Sequence, residues 1–124
     1  MRNAVLAAVA LVALSWATHE SVAQEADAAA GERLFRQRCG ACHQIATTRN
    51  GARPHLQGMV GRAAGSIEGF NYSPALRDSG ITWTADTLES YLTNPTAMVP
   101  GTRMVQRFNN AVERRTIIEL LSSR

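Results

Sequence analysis

Lysine is missing from this chain. All thirteen basic residues among its 124 are arginine. Every cation the fold displays is therefore a guanidinium, which stays protonated at any ordinary pH and cannot serve as a neutral amine. Lysine Schiff-base chemistry is excluded with it. Cysteine is nearly as scarce: there are only two, at 39 and 42, too close in sequence to staple distant parts of a fold. Aromatic residues make up 6% of the chain. No stretch alternates long enough to build a sheet, and no internal repeat occurs. The formal net charge of +3 is modest and is not arranged as the basic stripe of a nucleic-acid binder.

Long hydrophobic runs are also lacking. The one apolar run, over 4–16, is too short to span a bilayer comfortably. It follows Arg2 and precedes Ser21-Val22-Ala23, which has small residues where a signal peptidase reads. This pattern predicts a secretory signal over 1–23, cleaved after Ala23, and one domain over 24–124. Loss of Arg2 and Glu20 with the signal leaves the net charge unchanged.

Both cysteines fall in Cys39-Gly40-Ala41-Cys42-His43. C-x-x-C-H is the attachment pattern of a c-type haem. Each thiol can add to a porphyrin vinyl group, and the following histidine then lies under the iron. A C-x-x-C pair also serves thioredoxin-like redox proteins, but no βαβ pattern surrounds this one. Cys39, Cys42, His43 and His55 could make four zinc ligands, yet the adjacent Cys42 and His43 suit a tetrahedron poorly. Thioether attachment needs reduced cysteines and export of the apo-chain, so motif and signal agree on a bacterial periplasm or an equivalent compartment. A domain this small often needs a staple, and a covalent porphyrin would supply one.

The remaining pattern predicts helices joined by loops. Residues 26–38 are rich in helix formers, with Gly31 and Phe35 on one face. From 44 to 71 no helical period appears, and glycines at 51, 58, 61, 65 and 69 with Pro54 mark a long loop. Wrapping a cofactor would give such a loop its reason. A helix over 84–93 starts on Thr84 and carries Leu88, Tyr91 and Leu92 on its apolar face. Pro95 opens a short turn, and Pro100-Gly101 opens another. Asn110 and Glu113 make a capping-box-like start to a last helix whose stripe is Ile117, Ile118 and Leu121. Candidates for a second iron ligand are His55, Met59, Met98 and Met104.

With these residues in place, the chain resembles class I cytochrome c, the soluble mitochondrial type and its bacterial periplasmic relatives, over nearly all of 24–124. Gly31 and Phe35 match the first-helix pair, and Cys39 to His43 the haem site. Pro54-His55-Leu56 with Gly58, Gly61 and Arg62 is similar to the family's Pro-Asn-Leu, Gly, Gly-Arg stretch. Gly69-Phe70-Asn71-Tyr72-Ser73, Gly80-Ile81-Thr82-Trp83, and Leu88 to Pro95 continue the register. Pro100-Gly101-Thr102-Arg103-Met104 looks like the loop that carries the methionine ligand.

The resemblance implies an all-α fold with N- and C-terminal helices packed together and loops and short helices wrapping one covalent haem. It implies His43 and Met104 as axial ligands, and Pro54 accepting a bond from the His43 ring. It implies Arg62, Tyr72 and Trp83 as donors to a haem propionate, and Tyr91 and Thr102 lining the methionine side. The function implied is a periplasmic one-electron carrier, not an enzyme. It would be a monomer, docking redox partners at the exposed haem edge with Arg36, Arg38, Arg53, Arg103 and Arg107 as steering charges. The competing reading is a peroxidase-like haem enzyme or gas sensor with a labile sixth ligand. There are departures from the family. His55 replaces an Asn, Leu76 falls where the family has Asn, and Leu120 stands where an aromatic is usual. Gln106 replaces the haem-edge Phe, which leaves open whether Phe108 substitutes for it.

Overall fold

The computed structural model describes residues 2–124, with side chains from Glu20 onward. The chain divides into two units, one up to Ala30 and one over Gly31–Arg124. Helix α1 runs over Arg2–Arg38, so the expected start at 26 falls inside a longer helix. The side chains of the expected signal's apolar run, 4–16, lie outside the described residues. Among the described residues no helix is long and apolar enough to cross a membrane.

The second unit is helical with long loops. After the end of α1 come α2 (Pro74–Arg77), α3 (Ala85–Thr93), α4 (Pro95–Met98) and α5 (Ala111–Ser122). No strand forms among the described residues; a single antiparallel bridge joins Ala63 to Thr82.

Local sequence sets each helix start. Thr84 caps α3 in a reciprocal box with Thr87: the Thr84 side chain accepts from the Thr87 N–H at 3.2 Å, and the Thr84 N–H donates to Thr87 Oγ1 at 2.8 Å. Asn94 caps α4 by accepting from the Ala97 N–H, with Pro95 in the first turn. Asn110 accepts from the Val112 and Glu113 N–H groups at 2.8 and 3.3 Å. The expected capping box there is only half realised, because the Glu113 carboxylate lies 3.6 Å from Arg38 Nη1. The short α2 was not legible from hydrophobic period. Its signal is the pair Ser73-Pro74, in which the Ser73 hydroxyl accepts from the Leu76 N–H at 3.2 Å.

Packing brings the end of α1 onto α5. A Cβ at Gly31 would sit 3.4 Å from Leu120 Cβ and 3.7 Å from the Thr116 carbonyl oxygen. Glycine here lets two helix backbones approach closely, and the contact is with an aliphatic side chain. Phe35, Leu88, Phe108, Ile117 and Leu121 form the buried centre. Arg114 fastens α5 to α3, with Nε donating to Glu89 Oε1 at 2.6 Å and Nη1 to the Phe108 carbonyl at 2.7 Å.

Candidate functional site

The helix end delivers the C-x-x-C-H segment. The N–H groups of Cys39 and Gly40 both donate to the Phe35 carbonyl, at 2.7 and 2.8 Å. Those of Cys42 and His43 donate to the Cys39 carbonyl, at 3.0 and 2.9 Å. This turn places Cys39 half-buried and Cys42 exposed. Burial pushes the Cys39 thiol up to about 11, against a smaller opposing pull from Arg38. A redox-active C-x-x-C needs a lowered thiol pKa, so this pair is unsuited to thioredoxin-like exchange. Nor do the described residues gather three or more His, Cys, Asp and Glu groups that could hold a metal ion. The zinc alternative therefore has no geometry.

His43 Nδ1 lies 2.7 Å from the Pro54 carbonyl oxygen. A carbonyl can only accept, so the ring proton sits on Nδ1 and leaves the Nε2 lone pair free. Burial lowers the His43 pKa below 6.5, with Arg53 adding to the drop and the Pro54 bond opposing it. A neutral imidazole of fixed tautomer is the form that ligates a metal.

Beyond His43 opens a cavity of about 340 Å³. Cys39, Cys42, His43 and Pro54 line it from the attachment side of the sequence. Arg62, Tyr72 and Trp83 line it from the long loop and the segment before α3, and Tyr91, Thr102 and Met104 from α3 and the turn after α4. The fold thus brings all ten sequence-identified residues to one space. Apolar residues complete the wall, among them Met59, Leu88, Leu92 and Phe108. Sequence reading placed Leu88 and Leu92 on an apolar helix face but could not say that the face looks onto a cofactor. Met98 packs on the core and is not in the wall. Met59 is in the wall but deeply buried, whereas Met104 is half-buried.

Two backbone pairings set the polar side. The Trp83 N–H donates to the Arg62 carbonyl at 2.9 Å, and the Gly61 N–H to the Trp83 carbonyl at 2.7 Å. Arg62 and Trp83, 21 positions apart in sequence, are thereby held side by side. Arg62 Nε is buried without a partner, and burial lowers its pKa. No Asp or Glu lines the cavity to answer it. A buried guanidinium short of a partner fits an incoming carboxylate, and the apolar remainder of the wall fits a porphyrin plane. The donor set and the shape therefore fit a haem.

On the methionine side, the Tyr91 hydroxyl lies 2.6 Å from Thr102 Oγ1, both buried. Gly101, at φ +94° and where an added Cβ would meet Ala75 Cβ at 3.1 Å, permits the turn that presents Met104. Phe108 is fully buried, with Arg38 Cζ 4.9 Å above its ring. It lines the cavity from within, while Gln106 is exposed and donates from Nε2 to the Arg38 carbonyl at 3.3 Å. Phe108 therefore does not take the surface position of the family's edge aromatic. Leu76 lies in the cavity wall, apolar where the family is polar.

The family model described as Cytochrome c matches residues 28–123. A cytochrome c2 from Rhodomicrobium vannielii is 41% identical over 123 residues, covering 98% of this chain and 96% of that protein. A cytochrome c2 from Blastochloris viridis is 48% identical over 80 residues, covering 64% and 62%. Among solved structures, cytochrome cH from Methylobacterium extorquens aligns with a TM-score of 0.72 at 39% identity, over 78% of this chain and 98% of that one.

Proposed function

We propose a ligand set and a docking face for this chain, which belongs to the cytochrome c family and is an electron-transfer protein, not an enzyme, with one haem c held covalently through Cys39 and Cys42. Bound there, the haem supplies one-electron ferric/ferrous chemistry. His43 would hold the iron through Nε2, kept neutral and oriented by Pro54. Met104 would supply a second ligand, a soft thioether that favours the ferrous state and raises the potential. With these two side chains as ligands, the group would serve electron transfer and not substrate chemistry. Arg62, Tyr72 and Trp83 meet a propionate, and Tyr91 with Thr102 steadies the turn that carries Met104.

The observation that carries this reading is the 2.7 Å His43–Pro54 bond at the wall of a cavity that Met104 also lines. The haem-enzyme alternative finds no support among the relatives named above. Redox proteins are the partners. Arg38, Arg53 and Arg103 line the cavity and Arg36 and Arg107 are exposed, an arrangement that suits an acidic partner docking at the haem edge. The chain acts as a periplasmic monomer after residues 1–23 are removed during export.

Met104→Ala tests the ligand set. It should lower the reduction potential and open the iron to carbon monoxide or azide. If Met59→Ala or Met98→Ala did this and Met104→Ala did not, the assignment would be wrong.

A further inference from the structure

The reading above gives His55 no task, yet its side chain is buried in the site. It is 7% exposed and lines the haem cavity. Its Nδ1 is buried without a hydrogen-bond partner. The surrounding backbone is pinned. The His55 N–H donates to Asn50 Oδ1 at 3.1 Å, the Leu56 N–H donates to the Gln44 carbonyl at 2.7 Å, and Pro54 is tied to His43. These bonds fix where the His55 Cα sits in the cavity wall.

A second unpartnered nitrogen, Arg62 Nε, is buried in the same wall. Each unsatisfied buried polar group costs about 1–3 kcal/mol. The wall offers no carboxylate of the protein to either group. Arg38 Nε is a third such atom in the wall, and stranded nitrogens in an otherwise largely apolar cavity call for an anion that arrives with the cofactor. The haem's only anions are its propionates.

We infer that His55 Nδ1–H donates a hydrogen bond to a haem propionate beside Arg62, making His55 a cofactor-binding residue of this chain. The inference rests on the reading of Arg62 as a propionate donor and extends it. Burial first, and Arg62 second, hold the His55 pKa below 6.5, so the ring serves as a neutral donor. It adds a hydrogen bond without stacking a second full charge against the guanidinium.

The test uses haem-loaded protein with ¹³C at the propionate carboxyls, read by redox-difference infrared spectroscopy. His55→Leu should shift a carboxylate band, His55→Asn, which keeps an N–H donor, should return it toward wild type, and Arg62→Leu should shift the same band. If Arg62→Leu moves the band and His55→Leu does not, His55 has no such role while the Arg62 reading stands. If neither moves it, both readings fail. Should His55→Leu not load haem, nitrogen NMR of the reduced wild-type protein decides. A slowly exchanging proton on Nδ1 with contacts to the propionate methylenes upholds the bond. A proton on Nε2 alone, or a ring proton exchanging with a buried water, overturns it.

Discussion

The Tyr91 hydroxyl and Thr102 Oγ1 meet at 2.6 Å in the protein interior, joining α3 to the turn two residues before Met104. Thr102 is pinned a second time by its N–H, which donates to the Val99 carbonyl at 3.0 Å. The turn is therefore held by its backbone and by one buried side-chain bond. Tyr91→Phe keeps the ring and its edge contact with Trp83, at 5.0 Å between centroids, but strands the Thr102 hydroxyl. The expected cost is about 1–3 kcal/mol in denaturant unfolding. The weak red iron–methionine absorption should fade at lower temperature than in wild type. An unchanged melting profile of that band would show that the backbone alone secures Met104.

Gly31 sets how closely α1 approaches α5. Gly31→Ala places a methyl 3.4 Å from Leu120 Cβ, a tight but tolerable contact partly offset by better helix propensity. Gly31→Val adds two further branches to a filled space and should destabilise by about 1–3 kcal/mol. Combining Gly31→Val with Leu120→Ala should recover part of the loss, and a double-mutant cycle reads that coupling.

Steering by arginine should show in ionic strength. The screening length is about 10 Å at 0.1 M salt, so association with an acidic partner should slow steeply as salt rises through that range. Charge removal at Arg53 or Arg103 should flatten the slope. A rate insensitive to salt would instead point to an apolar docking patch around Val105, which is 68% exposed.

Alkaline pH should be tolerated well. In the resembled family a lysine amine can replace the methionine at raised pH, and this chain has none. Tyr72 and Tyr91 are both held above the ordinary 10.0, chiefly by burial. Their folded-state pKa values are raised, so the stability they give as neutral phenols is complete below 10.0 and is lost as the pH climbs past it. The iron–methionine band should therefore persist through mildly alkaline pH and collapse together with tyrosine ionisation. Electron paramagnetic resonance of an amine-ligated low-spin form at pH 8–9 would contradict this; hydroxide is the expected replacement.

Much of the site could be read from sequence because its defining chemistry is local. Cys39, Cys42 and His43 occupy consecutive turns of backbone, so their spacing alone fixes where thiols and imidazole lie relative to one another. Helix starts at Thr84, Pro95 and Asn110 were equally legible, since a cap is a contact across two or three residues. Where a distant partner competed with a local one, the sequence pattern failed: Glu113 turns to Arg38, at the far end of another helix, instead of closing its own capping box.

Contacts between residues far apart in sequence were decided only by the folded chain. Arg62 and Trp83 stand together because two loop segments pair backbones, and nothing in either segment announces that pairing. Phe108 enters the core under Arg38, its N–H donating to the Leu92 carbonyl of α3 at 2.9 Å, while Gln106 stays at the surface. His55 shows the division most clearly. As a letter in a loop it was one departure from a family pattern. Its importance comes from being buried beside Arg62 with Nδ1 unpartnered, and burial is a property of the whole packed chain that no local spacing encodes.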